Sequence, residues 1–296
     1  MREYLINFFD EFKYAEDDAA KLLAAYDTIN ANDDAAKLFA NAISEYDKEE
    51  GWDFQNAIIG GAKRAAEFCG VHTYTAELLV FICLSKRLKA RYIEKGIDLQ
   101  IYHDSMLDLK WKLWECKAVK GICGSFVSPW FVGFFDLTRF ALGRLQFEVV
   151  TLWFDYEGNG IKFEKDKSHV INVHIPRTCT PIDKASCDES YAQARRFFNE
   201  RCGGEDYPFV CYSWMLYPAN KDILAPESNT YRFLDEYVII QSNDNNGEDL
   251  WRLFDTDEKD PDKLPTDTSM RRRYAQHLKN GGKVGEGLGV RKAELG

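Results

Sequence analysis

Four phrases between His169 and Tyr237 constrain the fold more than anything else in the chain. They are HVINVHIP (169–176), CDESYAQARRFF (187–198), FVCYSWMLYP (209–218) and ESNTYRFLDEY (227–237). The first and third are rich in β-branched and aromatic residues, as strands are, and the other two read as helices. The order strand, helix, strand, helix predicts an α/β unit. The loop after the first strand runs into a helix N-terminus, where free backbone N–H groups favour an anion.

The 296 residues suffice for two modest domains or one large one. A hydrophobic content of 45% with 14% aromatics indicates a packed protein rather than a disordered one. The net charge is −10, from 38 basic and 48 acidic residues, which argues against a nucleic-acid partner. The N-terminal MREYLINFFDEF is amphipathic and acidic early, unlike a signal peptide. No run approaches the roughly 18 apolar residues of a membrane span, so no membrane role is expected. The eight cysteines form no CxxC pair, and the five histidines do not join them at zinc spacings. The expectation is reduced thiols in a cytosolic protein that holds no metal.

Residues 1–120 read as helical. Asp17-Asp18 and Asp33-Asp34 each precede an AAKL run, which suits the acid-rich first turn of a helix. Further helices are predicted at 54–68, 75–94 and 98–117, the last with Trp111 and Trp114 as a packing stripe. The character changes near Gly121, where a Gly- and aromatic-rich stretch leads into LGRLQFEVVTLWF (142–154). A turn signal at Tyr156–Gly160 predicts that 142–154 and 161–175 form a hairpin. Residues 242–268 carry nine acids and three bases around Leu250–Phe254, which reads as a strand between exposed loops. Asp267-Thr268 is expected to cap a helix over 269–279 that stops at Gly281-Gly282. The tail Gly285-Glu286-Gly287-Leu288-Gly289 echoes a dinucleotide loop but follows a helix rather than a strand, which rejects that reading.

The phrases LGRLQFE (142–148), VHIP (173–176), CDESY (187–191), YSWMLYP (212–218), SNTYRF (228–233) and LPTDTSM–HLKNGG (264–282) resemble a bacterial family of acyltransferases. Its members pair a helical N-terminal domain with a domain similar to the GNAT (N-acetyltransferase) superfamily. The likeness covers most of the chain and is strongest from Phe126 to Gly282. It implies an α/β (α+β) fold, with a helical domain over 1–121 packed on a GNAT-like twisted mixed sheet flanked by helices over 122–296. It also implies acyl-CoA or acetyl-CoA as co-substrate.

GNAT enzymes hold the CoA diphosphate on a glycine-bearing loop between a strand and a helix. The matching segment here is Arg177-Thr178-Cys179-Thr180-Pro181-Ile182-Asp183, and it has no glycine. Close approach of backbone to phosphate usually favours glycine. Arg177 would supply charge, and Thr178 and Thr180 hydroxyl donors, beside Cys179. Ser186-x-x-Glu189 matches a capping box, so the helix begins at Lys184 or Cys187. An ordinary capped loop is the alternative.

On a strand over 169–175, Val170, Asn172 and His174 share one face and Ile171, Val173 and Ile175 the other. His174 thus sits at the strand's carboxyl end, where ligands of α/β sheets gather. An imidazole there can take a proton from an attacking amine or hydroxyl, or it can be a core histidine bonded to a carbonyl. Arg144, Gln146 and Glu148 alternate along another strand face, so Glu148 is either a base or a holder of the substrate amine. Arg144 is expected to neutralise it. By the resemblance, Ser213 would contact the pantetheine arm or else bond only its own sheet, and Asn229 and Tyr237 would bracket a helix whose tyrosine protonates the departing thiolate. A buried stripe of Phe233 and Tyr237 is the other account of that tyrosine. Cys211 shows neither a base nor a cause for a lowered pKa, and reads as a small buried residue. The resulting expectation is acyl transfer to an unknown small-molecule or peptide acceptor, or else a GNAT-like protein that binds a CoA thioester without turnover.

Overall fold

A computed structural model describes residues 1–295. The chain divides into two compact units, Met1–Thr138 and a second that begins at Arg139. The first is helical: α1 (Arg2–Glu11), α2 (Glu16–Asn30), α3 (Asp33–Glu45), α4 (Gly60–Cys69), α5 (Thr73–Glu94) and α6 (Leu99–Lys120). The starts of α2 and α3 coincide with the acid-rich turns. Asn32 caps α3, its side-chain oxygen accepting from the amides of Asp34 and Ala35 at 3.1 and 3.0 Å. α5 runs through the middle of the unit, with every residue from Thr75 to Ser85 buried.

The stretch after Gly121 folds with this unit and not with the next. The Ser125 amide donates to the Tyr74 carbonyl at 2.9 Å, and Thr75 Oγ1 to the Cys123 carbonyl at 2.8 Å. Phe131 and Phe135, the latter in the short α7 (Val132–Phe135), set their rings 5.2 and 5.0 Å from Phe81. The predicted boundary at 121/122 therefore moves to Thr138/Arg139. The aromatic run that signals a change of character is the apolar plug of the helical unit.

The second unit holds β1 (Arg139–Leu142), β2 (Leu145–Thr151), β3 (Tyr156–Gly158), β4 (Ile161–Phe163), β5 (His169–His174), β6 (Phe209–Ser213), β7 (Tyr237–Asp244) and β8 (Gly285–Arg291). Its helices are α8 (Lys184–Arg201), α9 (Asn220–Ile223), α10 (Asn229–Asp235), α11 (Leu250–Phe254) and α12 (Ser269–Lys279). Among the described residues the main sheet runs β1-β2-β5-β6-β8-β7, antiparallel throughout except for the parallel pair β5–β6. The predicted hairpin forms between β2 and β5, with β3 and β4 as a separate two-stranded ribbon at its tip.

Side-chain alternation gives the sheet two unlike faces. On one, Phe147 and Phe209 meet Tyr191 of α8, and Phe140 meets Phe197 and Phe198. On the other, Val170, Val210, Leu288 and Val290 pack under Leu152 and Phe163 near the ribbon. That second face turns polar toward the carboxyl end of β5.

One expectation in this unit is corrected. Leu250–Phe254 is a single helical stretch, stopped by Asp255 in the left-handed region at φ +56°, and not a strand. The Gly-rich segment, for which no element was expected, is β8, paired with β6 on one side and β7 on the other. A Cβ on Gly287 would lie 2.2 Å from the Leu216 carbonyl oxygen, so glycine is required there by close backbone approach. No helix among the described residues is long and apolar enough to cross a membrane.

Candidate active site

β5 is paired very differently on its two edges. Against β2 it keeps six register pairs, from Gln146↔His174 to Thr151↔His169. Against β6 it keeps two, Ile171↔Phe209 and Asn172↔Val210, although both strands run on beyond them. The Ile171 amide donates to the Pro208 carbonyl at 3.0 Å. By the two-residue repeat, the Ile175 amide points to the same edge. Among the described residues it has no hydrogen-bond partner. β6 meanwhile ends at Ser213, whose Oγ accepts from the Met215 amide at 3.2 Å. The chain then turns through Trp214–Leu216 onto the glycine face of β8. The two parallel strands part, leaving backbone donors and acceptors at the lip of a gap.

At that lip the polar face carries a chain of three side chains. Arg139 on β1 donates from Nη2 to Glu148 Oε2 at 2.8 Å, and His174 Nε2 lies 2.7 Å from Glu148 Oε1. The register explains it: Arg139 and Asn172 stand directly opposite Glu148, and His174 is its diagonal neighbour. Burial pushes the Glu148 carboxyl up, but the hydrogen bond and charge of His174, with those of Arg139, outweigh it and bring the pKa down to about 2. Glu148 is therefore an anion at any ordinary pH, suited to orienting the imidazole rather than to taking a proton. With Nε2–H bonded to the carboxylate, the neutral ring carries its lone pair on Nδ1. Asn172 Nδ2 lies 3.3 Å from the same Nε2.

Arg144 does not neutralise Glu148. It lies in the β1–β2 turn and reaches the other way, donating from Nη1 to the Pro176 carbonyl at 3.0 Å and from Nε to those of Thr180 and Pro181 at 3.1 Å. Sequence reasoning missed Arg139, though a signal existed. A two-residue turn at Gly143-Arg144, with Gly143 at φ +72°, places Arg139 across from Glu148.

The glycine-free loop is tied down by side chains of the second unit. Nη1 and Nη2 of Arg177 both donate to the carboxylate of Asp255, so its charge is neutralised within the chain. Thr178 Oγ1 lies 2.9 Å from Thr180 Oγ1 and accepts from the Thr180 amide at 3.2 Å, while Cys179 is exposed. α8 begins at Lys184, and Asp183 is its cap, accepting from the amide and hydroxyl of Ser186 at 3.0 and 2.8 Å. The expected Ser186–Glu189 box is thus replaced by an aspartate one turn earlier. The Ser186 amide, followed by its hydroxyl, holds the Asp183 carboxyl below its ordinary pKa.

The remaining predicted residues are not gathered at the lip. Tyr237 opens β7 rather than sitting on a helix, with 2% of its surface exposed and its hydroxyl 2.5 Å from that of Tyr191. Burial, with the neighbouring Tyr191, raises its pKa far above that of a free phenol. Asn229 is the first residue of α10, after the capping Ser228. Cys211 is buried, and burial alone pushes its thiol above the ordinary range, as for an inert core thiol. Among the described residues no group of three or more His, Cys, Asp or Glu is placed to hold a metal.

Comparisons with known proteins give the same architecture. One solved structure, an acyltransferase with decanoyl-CoA and teicoplanin, superposes with a TM-score of 0.73 at 19% identity, covering 96% of this chain and 87% of that one. Another, a mutant acyltransferase with octanoyl-CoA, gives 0.71 at 18% identity over 98% of this chain and 88% of the other. A third, an acyltransferase with CoA and 10C-teicoplanin, gives 0.70 at 17% identity, covering 95% and 86%. These likenesses concern the fold. No curated protein matches the chain. Family models divide the chain where its structure does, the N-acyltransferase N-terminal domain matching 3–137 and the GNAT-like C-terminal domain 139–291. With both halves matched in this order, the chain belongs to the family that joins an N-acyltransferase N-terminal domain to a GNAT-like C-terminal domain.

Proposed function

We propose that the protein transfers an acyl group from an acyl-CoA to an amine or hydroxyl of an acceptor by direct attack. The observation that carries this reading is the parting of β5 from β6 beside the Glu148–His174 pair. A thioester arm laid in the gap can bond the edges that no strand completes. The Ile175 amide then faces the thioester carbonyl, and such a donor is worth roughly 3 kcal/mol to a developing oxyanion. His174 accepts the acceptor's proton on Nδ1 as the nucleophile attacks. Glu148 stabilises the resulting imidazolium, which returns the proton as the C–S bond breaks and the thiolate leaves. Tyr237, buried against Tyr191, takes no part.

The similar structures hold decanoyl- and octanoyl-CoA, which supports a medium-length acyl chain over acetyl. Eight free thiols, four of them buried, fit a reducing compartment such as the cytosol. The test is thermal melting with CoA, acetyl-, octanoyl- and decanoyl-CoA. A ligand at 100 times its dissociation constant adds about 2.7 kcal/mol of stability. A shift that grows with chain length supports the reading; no shift with any thioester sinks it. Binding without CoA release across a screen of amine acceptors would leave a thioester-binding protein instead.

A further inference from the structure

We infer that Arg144 is a positioning residue that arranges the glycine-free loop for the CoA diphosphate, without touching the ligand. The inference rests on the acyl-CoA reading above and adds to it how this loop dispenses with glycine. Arg144 binds the carbonyls of Pro176, Thr180 and Pro181, one at the start and two near the end of the loop. In a planar trans peptide the carbonyl and the following N–H point in opposite directions, and no peptide bond among the described residues is cis. The N–H groups of Arg177 and Ile182 therefore point away from the guanidinium. Neither has a partner among the described residues. Pro181 adds no donor between them.

The result is a loop whose carbonyls are gathered behind it and whose free amides face outward beside the end of β5. Loops that cradle phosphates need this polarity. Glycine achieves it through unusual φ angles, whereas here no residue from 176 to 183 has a positive φ. The arginine itself is held from behind. Its own amide donates to Ser190 Oγ of α8 at 2.7 Å, and that hydroxyl donates to the Ser186 carbonyl at 2.9 Å. Ser190 is fully buried, and a Cβ on Gly143 would lie 2.7 Å from its oxygen. The β1–β2 turn, the loop and the first turns of α8 thus form one clamped unit, with the guanidinium at its centre.

The experiment is calorimetric titration of the full chain, Arg144→Lys and Arg144→Gln with decanoyl-CoA and with decanoyl-pantetheine, which lacks the diphosphate. Melting curves establish that each variant is folded, and lysine keeps the charge should glutamine fail. Both variants are expected to bind decanoyl-CoA about tenfold more weakly, the equivalent of about 1.4 kcal/mol, and decanoyl-pantetheine within about twofold of the unmodified chain. Lysine is expected to rescue little, since one ammonium cannot span the three carbonyls. Equal losses for both ligands, no loss for either, or full rescue by lysine would each overturn the inference and leave the acyl-CoA reading standing. An unmodified chain that binds neither thioester would fail the reading itself, and the inference with it.

Discussion

The two edges of β5 differ by one criterion, how far the neighbouring strand follows. On the β2 edge six pairs close the seam, and Glu148 reaches across it to His174 while Arg139 of β1 holds the carboxylate from the other side. On the β6 edge two pairs suffice to set the register before the strands separate. The closed edge holds the chemistry still, and the open edge supplies the unpaired backbone that a ligand can complete. Rigidity and access are thus divided across a single strand. Neither would serve alone, since a fully paired β5 offers no donor and a poorly paired one cannot fix an imidazole.

Four changes break or sharpen that contrast. Replacing His174 by Ala should lower turnover by about 10²- to 10⁴-fold while decanoyl-CoA binding holds, because the open edge is untouched. Steady-state rates beside calorimetry check this, and full turnover in the variant would remove His174 from the mechanism. Gly287→Val drives a side chain into the Leu216 carbonyl and should push the turn after β6 off its seat. The expected cost is about 3 kcal/mol in denaturant unfolding. A variant as stable as its parent would show that the glycine face does not shape the gap.

Glu148→Gln should cost about 2 kcal/mol at neutral pH by weakening the closed seam. The sign follows from the lowered pKa. The carboxylate's contribution is complete above its ordinary value of 4.5 and is lost as pH falls toward about 2. The stability gap between parent and variant should therefore shrink over that interval in acid titrations of unfolding. The smallest effect belongs to Tyr237→Phe, far from both edges of β5. Loss of one neutral hydrogen bond to Tyr191 should cost about 1 kcal/mol and leave turnover unchanged. A large fall in rate would restore the tyrosine as an acid.

Much of the α/β core was legible because its signals are local. Alternation in HVINVHIP marks β5 and its two faces, and acid-rich turns mark the starts of α2 and α3. The pairing of Glu148 with His174 was partly legible, since both were candidates, but their contact depends on a strand register that no single phrase contains. Arg177 and Asp255 lie 78 residues apart, so the neutralisation of the loop cation was out of reach. β8 was missed for a physical reason. Glycines at 285, 287 and 289 lower the apolar signal of a strand, and their necessity appears only when Asn243, Leu216 and Tyr237 are seen beside them.

The place of β8 in the sheet also bears on how the protein is made. It lies between β6 and β7, yet it follows both of them along the chain, so it leaves the ribosome after them. Until residues 285–291 emerge, β6 lacks its partner on one side and β7 has none at all. A nascent chain with bare strand edges is exposed to pairing with the wrong neighbour. The sheet therefore closes only once this segment is made, and the glycine-rich stretch is the piece that completes it.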